Sequence, residues 1–311
     1  MYDPLSCFRF RCAPILALAL LLAGSAPAAA QFVVHADEDL DFDRPEAWAM
    51  AWFAALTSPS ALGSPEPLAP WSVELSLEGG WVPTLSDEQR TVGFLGSKPE
   101  DLNRTSVIGR PRLAVGLPGK LTATLAWMPP AQIDGVEPNL LALFLARPLW
   151  EGERARIGAR LFGQTGSFEG DFTCPRDAAA AGSDPVRNPF NCREPSEDEM
   201  SLQLFGLELQ AGTALARWPQ VSPYAALSYN RLDAEFQVRA HYNDLLDRSL
   251  LKTDGNFWTG TLGLAVDVRE RWRLAGEVVY TPLDVTDRAG HQGRESDGPL
   301  NVRALLAYRL R

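Results

Sequence analysis

Residues 232–242 read LDAEFQVRAHY, and the alternation in this stretch limits the fold to two β classes. Its even-numbered positions are apolar or small, and every position between them is polar or ionisable. A period of two residues predicts a β-strand whose two faces meet different surroundings. A soluble β-sandwich and a membrane β-barrel both produce this pattern, but they place the apolar face on opposite sides of the sheet. The rest of the chain must decide between them.

The start of the chain has the pattern of a secretory signal peptide. Arg9 and Arg11 precede the apolar run APILALALLLAG, and SAPAAA follows it before Gln31. A basic region, a short apolar core and an Ala-x-Ala exit predict export and cleavage. The apolar run is too short for a good membrane-spanning helix. Residues 1–30 are therefore excluded from the predicted fold, and the mature chain is expected to be exported.

The exported part is acidic. The whole chain has 29 Lys and Arg against 39 Asp and Glu, and residues 31–311 keep 27 against 38, a net charge of −11. An acidic chain repels phosphate backbones, so we expect no nucleic acid among its partners.

Two cysteines remain after removal of the signal, Cys174 and Cys192, and both lie in a polar stretch. In an oxidising compartment we expect them to form a disulfide across one long loop. No histidine lies near either cysteine in the sequence, so we expect no metal site there, and no pattern in the chain predicts a cofactor.

Alternation recurs in about ten segments between residue 71 and the C-terminus. The clearest are WSVELSLEGGW (71–81), VIGRPRLAVGL (107–117), LTATLAWM (121–128), RARIGARLFGQ (154–164), NFWTGTLGLAVDV (256–268), RLAGEVVYTP (273–282) and LNVRALLAYRLR (300–311). The apolar face of these segments is nearly free of charge over about nine to eleven residues, the length that a tilted strand needs to cross a bilayer.

Three segments are less regular. LLALFLARPLW (140–150) is apolar on both faces, so its inward side is not assigned. SLQLFGLELQ (201–210) changes phase near Gly206, which predicts a β-bulge. The stretch 221–242 is too long for one crossing, so we expect 221–230 to cross and 232–242 to continue outside the membrane. There it would face water on both sides or pack against outer loops.

Short and long connections alternate along the chain. PGK (118–120), EGE (151–153), RER (269–271) and the somewhat longer stretch 213–220 follow even-numbered segments, whereas longer polar connections follow odd-numbered ones. A transmembrane barrel with an even number of strands, short periplasmic turns and long outer loops has this arrangement. A soluble sandwich has no reason to sort its loops in this way. We expect ten strands, with twelve or eight as alternatives.

Aromatic residues lie near the ends of these segments, as an interfacial girdle requires. They are Trp71, Trp81, Trp127, Trp150, Trp258, Trp272, Tyr280 and Tyr308. The alternative is that they fill a soluble core. Because no segment of the mature chain is a credible membrane helix, a closed barrel is the way to satisfy its backbone polar groups in lipid. We therefore expect an all-β transmembrane antiparallel β-barrel over residues 71–311.

The closing segment NVRALLAYRLR resembles the C-terminal assembly signal of the bacterial outer-membrane β-barrel proteins. Tyr308 and Leu310 match its alternating apolar positions and Arg303 a polar one, whereas Leu305 stands where a glycine is usual and Leu310 replaces the usual terminal aromatic. The resemblance implies a location in the outer membrane of a Gram-negative cell and contact with outer-membrane lipid. It also implies recognition by the barrel-assembly machinery through the C-terminal strand.

Residues 31–70 form a separate N-terminal segment. An acidic run precedes Pro45, which suits the first turn of a helix. The following EAWAMAWFAAL (46–56) is apolar nearly all round, so a helix here should be buried or interfacial. Residues 58–70 predict a stiff Pro-rich linker. We expect an interfacial helix that aids folding, with a plug or gate of the lumen as the alternative.

The polar face of the segments is predicted to line the lumen. Its twelve charged residues are Glu74, Glu78, Arg110, Arg112, Arg156, Arg160, Glu208, Asp267, Arg273, Glu277, Arg303 and Arg309. In a barrel of about ten strands such side chains largely fill the bore, and they must be paired or hydrated. They predict either a structural network of opposed charges or a narrow polar conduit that favours anions.

From these observations we expect porin-like permeation of small polar solutes. The alternative is a non-conducting structural or surface-interaction barrel that acts through its outer loops. A lipid- or peptide-modifying enzyme is a third class, because His241 and His291 have acidic neighbours in predicted outer loops. No local motif of the outer-membrane proteases, phospholipase or acyltransferases accompanies them, so no catalytic residue is assigned.

Overall fold

The computed structural model describes residues 32–132, 135–269, 271–288 and 293–310. The predicted signal peptide, residues 1–30, lies outside this part of the chain. Ten long antiparallel strands each pair with the next along the chain, and the last pairs with the first, which closes a barrel. In chain order they are β1 (Val73–Trp81), β2 (Val107–Leu117), β3 (Leu121–Met128), β4 (Val136–Glu151), β5 (Ala155–Gly170), β6 (Asp198–Thr213), β7 (Val221–Gln237), β8 (Leu250–Val268), β9 (Trp272–Tyr280) and β10 (Leu300–Leu310). The predicted ten-stranded barrel is confirmed.

The connections distinguish the two ends of the barrel. Those that follow β2, β4, β6 and β8 are short and lie at the end where β1 begins and β10 finishes, which we call the short-turn end. The opposite, long-loop end carries the longer connections, although the one between β3 and β4 spans only residues 129–135. In transmembrane barrels the short turns face the periplasm and the long loops face outward.

An apolar belt surrounds the barrel. Large apolar side chains at alternate positions of the strands are about half exposed, among them Leu77, Leu143, Leu207 and Leu227, and Leu262 is 69% exposed. A soluble protein rarely exposes a continuous band of this kind. Because the backbone groups are paired within the closed barrel, lipid tails can cover this belt without leaving strand edges unsatisfied. The chain is a transmembrane β-barrel.

Aromatic side chains border the belt on both sides. Trp81, Trp127 and Tyr280 lie at the strand ends of the long-loop side. On the other border the rings of Trp272 and Tyr308 lie 4.7 Å apart. These are the positions of interfacial aromatic girdles, which mark the two surfaces of the bilayer.

Beyond the outer girdle the polarity of the two faces reverses. Along β7, Leu227 points outward and Asn230 inward, but farther toward the long-loop end Asp233 is exposed and Leu232 and Ala234 are buried inside. Neither predicted arrangement of LDAEFQVRAHY is found. Only one of its faces meets water, and its other face does not pack against outer loops alone. It packs on apolar residues in the barrel interior, while its charged face meets water.

The same reversal explains the irregular segment in β6. Pairing with β5 and β7 is continuous through Gly206, so the predicted bulge at this residue is wrong. Phe205 stays outward and Leu204 inward without a change of phase, and only the surroundings change from water to lipid. A register shift occurs instead in β4, between Pro148 and Trp150.

Helix α1 (Pro45–Thr57) lies inside the barrel, not at the membrane surface as expected. Its residues are almost all buried, Trp48 and Trp52 included, and they join inward side chains of the strands in one apolar cluster. The helix is apolar nearly all round because it is surrounded by protein on every side. The helix lies where the alternative prediction, a plug of the lumen, placed it.

The N-terminal segment threads the whole bore. Its first strands, Phe32–Val34 and Asp37–Asp39, pair in parallel with loop and strand residues at the long-loop end. Helix α1 then descends the lumen. Residues 58–69 continue to the short-turn end, where Trp71 donates its backbone N–H to the Gly116 carbonyl. A side chain at Gly116 would meet the Ala69 carbonyl oxygen at 2.1 Å, so this exit requires glycine.

The long loops carry several short elements. Three short strand pairs are Thr91–Val92 with Lys98–Pro99, Ala240–Tyr242 with Leu245–Asp247, and Asp284–Thr286 with Arg294–Ser296. Short helices span Asp87–Arg90, Gly93–Gly96 and Arg176–Ala180. The disulfide joins Cys174 to Cys192 in the connection between β5 and β6. None of the described helices is long and apolar enough to span a bilayer.

Candidate functional site

The C-terminal end of α1 is capped by an arginine of the closing strand. Arg303 is fully buried, and its guanidinium donates hydrogen bonds to the carbonyl oxygens of Ser58 (2.5 Å), Leu56 (3.0 Å) and Ala55 (3.2 Å). The last carbonyls of a helix lack intrahelical partners and carry the negative end of its dipole. A buried guanidinium therefore satisfies these carbonyls and compensates their charge at the same time.

Two further arginines extend this cap around the bore. Arg110 donates to the Thr57 carbonyl at 2.9 Å. Arg160 donates to the Ser60 carbonyl at 2.5 Å, and its guanidinium also lies 2.7 Å from the Glu208 carboxylate. Since these arginines come from β2 and β5 on different sides of the wall, the chain that follows α1 is held from several directions.

Buried carboxylates balance the capping arginines. Glu78 lies 3.1 Å from Arg110, 3.2 Å from Arg112 and 3.9 Å from Arg303. The guanidinium groups of Arg112 and Arg160 also lie 4.9 and 5.1 Å from the ring centroid of Phe144, within the range of cation–π interactions. Ion pairs and cation–π contacts of this kind lower the cost of burying charge.

The linker after α1 has its own contacts in the lower bore. The backbone N–H of Leu62 donates to Glu277 at 2.9 Å, and Tyr224 donates to the same carboxylate at 3.0 Å. Glu66 pairs with Arg273 at 2.6 Å and with Arg156 at 3.3 Å. The predicted stiff linker is therefore fixed to the barrel wall by polar contacts.

All twelve charged residues of the predicted lumen set point to the interior. Nine of them are buried, and Arg156, Asp267 and Arg309 are half-buried near the short-turn end. Together with residues 45–68 these side chains occupy the bore. The arrangement has the geometry of a structural network, which is one of the two predicted interpretations. The contacts of this network with the N-terminal segment were not predicted from the sequence.

A partly open cavity of about 370 Å³ lies beside the N-terminal half of α1 at the long-loop end. Met50 and Phe53 of the helix form its floor, and its walls include Phe168, Phe172 and Phe236 from β5, its following loop and β7. Volumes of this size, lined by apolar and aromatic side chains with a few polar groups, are typical of small-molecule sites. This cavity is the candidate functional site.

Most polar groups around the cavity already have protein partners. Glu46 accepts a hydrogen bond from the backbone N–H of Leu95 at 2.6 Å. Asp247 accepts from the backbone N–H and the hydroxyl of Ser249, at 3.0 and 2.6 Å. A ligand therefore finds a surface that is apolar in effect, since these carboxylates are engaged elsewhere.

Glu100 lines the cavity, and the buried Lys98 pairs with it from behind the wall. Lys98 donates to Glu100 at 2.5 Å and to the Thr173 carbonyl at 2.6 Å, and its ammonium lies between the rings of Phe94, Phe190 and Tyr242 at 5.3 to 5.9 Å. Burial raises the pKa of Glu100 to about 8, although the neighbouring ammonium opposes this effect. A perturbed carboxyl in a cavity is a common mark of a functional site.

Tyr242 carries a buried hydroxyl group, without a partner in the described part of the chain, at the wall of the site. The residue is 7% exposed and lines the cavity, and its hydroxyl has no hydrogen-bond partner among the described residues. Burial raises its pKa, so the hydroxyl stays protonated and remains a donor. Buried polar groups are nearly always hydrogen-bonded, and an exception in a cavity indicates a missing partner.

The cavity has no member in common with the predicted lumen set. Its residues come from the N-terminal segment, α1, the loop after β1 and four later stretches, so no local motif announces it. One signal was available: Phe168, Met200 and Phe236 occupy inward positions of β5, β6 and β7 beyond the outer girdle. Apolar inward residues at that height predict an apolar interior there.

The enzymatic hypothesis named two histidines, His241 and His291. His241 lies 3.4 Å from Glu194, and His291 falls outside the described residues. Within the described ranges, no three His, Cys, Asp or Glu side chains are grouped as metal ligands would be.

No family model and no curated protein matches this sequence. Among solved structures, the chain is similar to the outer membrane protease OmpT from Escherichia coli, with 11% identity, 79% of this chain and 98% of that chain covered, and a TM-score of 0.40. It is also similar to the translocator domain of the autotransporter NalP from Neisseria meningitidis, with 12% identity, 84% and 92% coverage, and a TM-score of 0.42. The toluene transporter TodX of Pseudomonas putida matches with 12% identity, 88% and 78% coverage, and a TM-score of 0.33. At these scores the assignment as a transmembrane β-barrel rests on the strand pairing and the apolar belt of the chain itself.

Proposed function

We propose that this chain is an outer-membrane barrel with a plugged bore, which binds a small, mainly apolar molecule in the cavity at its outward end. The observation that carries this function is the partly open cavity of about 370 Å³ between α1 and the long loops. A closed barrel with an apolar belt suits the outer membrane, where long loops face the outside.

The cavity lining defines the ligand class. Its aromatic and aliphatic walls favour an uncharged apolar body, because an unpaired charge would lose hydration without gaining a partner. Tyr242 adds one donor at the wall, unpaired within the described ranges, and we expect it to bind an acceptor on the ligand. The expected ligand is therefore a neutral hydrocarbon-like molecule that carries one hydrogen-bond acceptor, such as a ketone, ester or ether.

The filled bore supports this function over permeation of polar solutes. A path for ions would require the thirteen residues of α1 and the linker below it to leave their contacts with Arg110, Arg160 and Arg303. The proposal agrees instead with the alternative prediction from the sequence, a non-conducting barrel that acts through its outer loops. The loops act here together with α1.

Binding is tested on the full mature chain, refolded into lipid nanodiscs, with the neutral fluorophore N-phenyl-1-naphthylamine. Saturable fluorescence above that of empty nanodiscs is expected. Ala49→Trp places an indole in the cavity and should abolish the saturable part, whereas the matched change Ala225→Trp, on the lipid-facing side of β7, should leave it intact. Equal loss in both variants, or no saturable binding in the unmodified chain, would contradict the function.

The role of Tyr242 is tested with two ligands of equal shape. The ketone 2-nonanone and the alkene 2-methyl-1-nonene compete with the fluorophore, and the ketone should bind about two- to tenfold more tightly through one hydrogen bond. Tyr242→Phe should remove this preference and leave the affinity for the alkene unchanged. A ketone preference that survives in Tyr242→Phe would place the acceptor elsewhere.

A further inference from the structure

We infer that a molecule bound in the outward cavity leaves sideways into the membrane, through a notch in the barrel wall between β2 and β4. This inference rests on the proposed binding function. It adds a route and a destination, the outer leaflet of the bilayer, to the binding site. It follows from the strand pairing, from a second cavity and from the height of both in the wall.

The notch exists because β3 is short. Its pairing with β2 ends at Arg112 and Ala126, and its pairing with β4 ends at Met128 and Leu140. Residues 107–111 of β2 and 136–139 of β4 continue toward the long-loop end without a strand between them. Pro129 and Pro130 follow β3 directly and cannot donate backbone hydrogen bonds, so the sequence itself stops the ladder there.

A second cavity of about 90 Å³ lies behind the notch. Ile108 and Gly109 of β2 border it on one side, and Met128, Pro129 and Pro138 on the other. Its lining is mainly apolar, and Arg104, Thr57 and Thr105 are its polar members. The opening between the two strand ends thus leads into an apolar space and not into the charged network of the lower bore.

The two cavities share three walls. Phe53 of α1, Leu102 of the loop after β1 and Phe168 of β5 line both of them. These side chains therefore lie between the outward cavity and the space behind the notch. The proposed route requires these side chains to rotate away from the boundary between the two cavities.

The notch opens at the outer surface of the bilayer. Val107, at its edge, pairs with Trp81, and Trp127 immediately precedes Met128. Both tryptophans belong to the outer aromatic girdle, which lies at the boundary between headgroups and acyl chains. A molecule that passes the notch therefore enters the acyl region of the outer leaflet directly and avoids the headgroup layer above it.

The test measures entry of N-phenyl-1-naphthylamine into intact Gram-negative cells, whose outer leaflet slows the passage of apolar molecules. Cells that contain the unmodified protein should take up the probe faster than cells without it. Gly109→Trp covers the mouth of the notch with an indole. Gly260→Trp is the matched control, because it also lies on the outward face, at the level of Tyr280, with open space around it.

Gly109→Trp should reduce probe entry to the rate of cells without the protein, while the affinity measured in nanodiscs stays unchanged. Gly260→Trp should alter neither quantity. Phe53→Ala, which removes one shared wall, should speed entry. Unchanged entry in Gly109→Trp, or no protein-dependent entry at all despite normal binding, would overturn the lateral route and leave the binding function standing. Loss of binding in the unmodified chain would overturn both.

Discussion

Replacing Arg303 by methionine should loosen the plug without opening the barrel wall. The guanidinium is fully buried and donates to three carbonyls at the end of α1 and to the Ser60 hydroxyl. Methionine keeps much of the apolar volume and removes every donor. Glu78 keeps Arg110 and Arg112 as partners at 3.1 and 3.2 Å, so the barrel strands themselves lose little.

The expected magnitude follows from this contact list. Removing one partner of a buried, hydrogen-bonded charge costs about 3–5 kcal/mol. The loss falls on the free energy that keeps α1 docked, because the acceptors belong to the end of the helix. Since every 1.4 kcal/mol is a factor of ten, release of the helix should become about 100- to 4,000-fold more frequent.

Amide hydrogen exchange of the refolded protein measures this quantity. Amides of α1 exchange when the plug opens locally, whereas amides in the strands report on the barrel. Arg309→Met is the matched control on the same face of β10, because Arg309 is 30% exposed and its ion pairs should contribute no more than about 1 kcal/mol. If α1 exchanges equally fast in the unmodified chain and in Arg303→Met, the arginine cap does not hold the plug.

Three further predictions follow from the same contacts. Burial raises the pKa of Glu100 to about 8 from 4.5. The stability that this carboxyl contributes is therefore complete below about pH 4.5 and is lost as the pH rises through 8. In thermal scans, Glu100→Gln should flatten the fall of Tm across that window. Cys174 and Cys192 are 18 residues apart, so reduction of their disulfide should lower the stability of the loop by about 3 kcal/mol. Probe binding beside Tyr242 should weaken as a result, while heat-modifiable mobility in gels shows an intact barrel. Leu232→Ala should destabilise the protein by about 2–5 kcal/mol in urea titrations, since Leu232 is fully buried against the interior cluster, and a cost no larger than that of Leu227→Ala on the lipid face would refute the reversal of polarity.

Alternation and loop lengths were enough to predict the barrel, because both follow from local constraints. A strand that separates lipid from a polar bore must alternate with a period of two, and sequential pairing places short and long connections at opposite ends. Each inward charged residue followed from the phase of its own strand. Arg303 and Glu78 point inward for the same reason that Leu306 and Leu77 point outward.

The position of α1 did not follow from its own sequence. EAWAMAWFAAL is apolar all round, and such a helix satisfies the same pattern in a membrane interface and in a protein interior. The deciding groups, Arg110, Arg160 and Arg303, lie on distant strands and looked like lining of a channel. These arginines bind backbone carbonyls at and after the end of α1, and the sequence does not show which carbonyls an arginine will bind.

The reversal of polarity was misread for a similar reason. SLQLFGLELQ has apolar residues first at even-numbered and then at odd-numbered positions. A change of strand phase and a change of surroundings both produce this sequence pattern. Only the height of Gly206 in the barrel distinguishes them, and that height depends on pairing with β5 and β7. The cavity was missed because it forms above this level, where apolar residues face inward.

The central claim is that the chain's own N-terminal segment closes the bore, so that function resides in the outward cavity. Current through the full mature chain in a planar lipid bilayer tests this most directly. The structure predicts no stepwise current in the unmodified protein, because residues 45–68 and the buried arginines fill the lumen. Stable stepwise currents through the unmodified chain would contradict it.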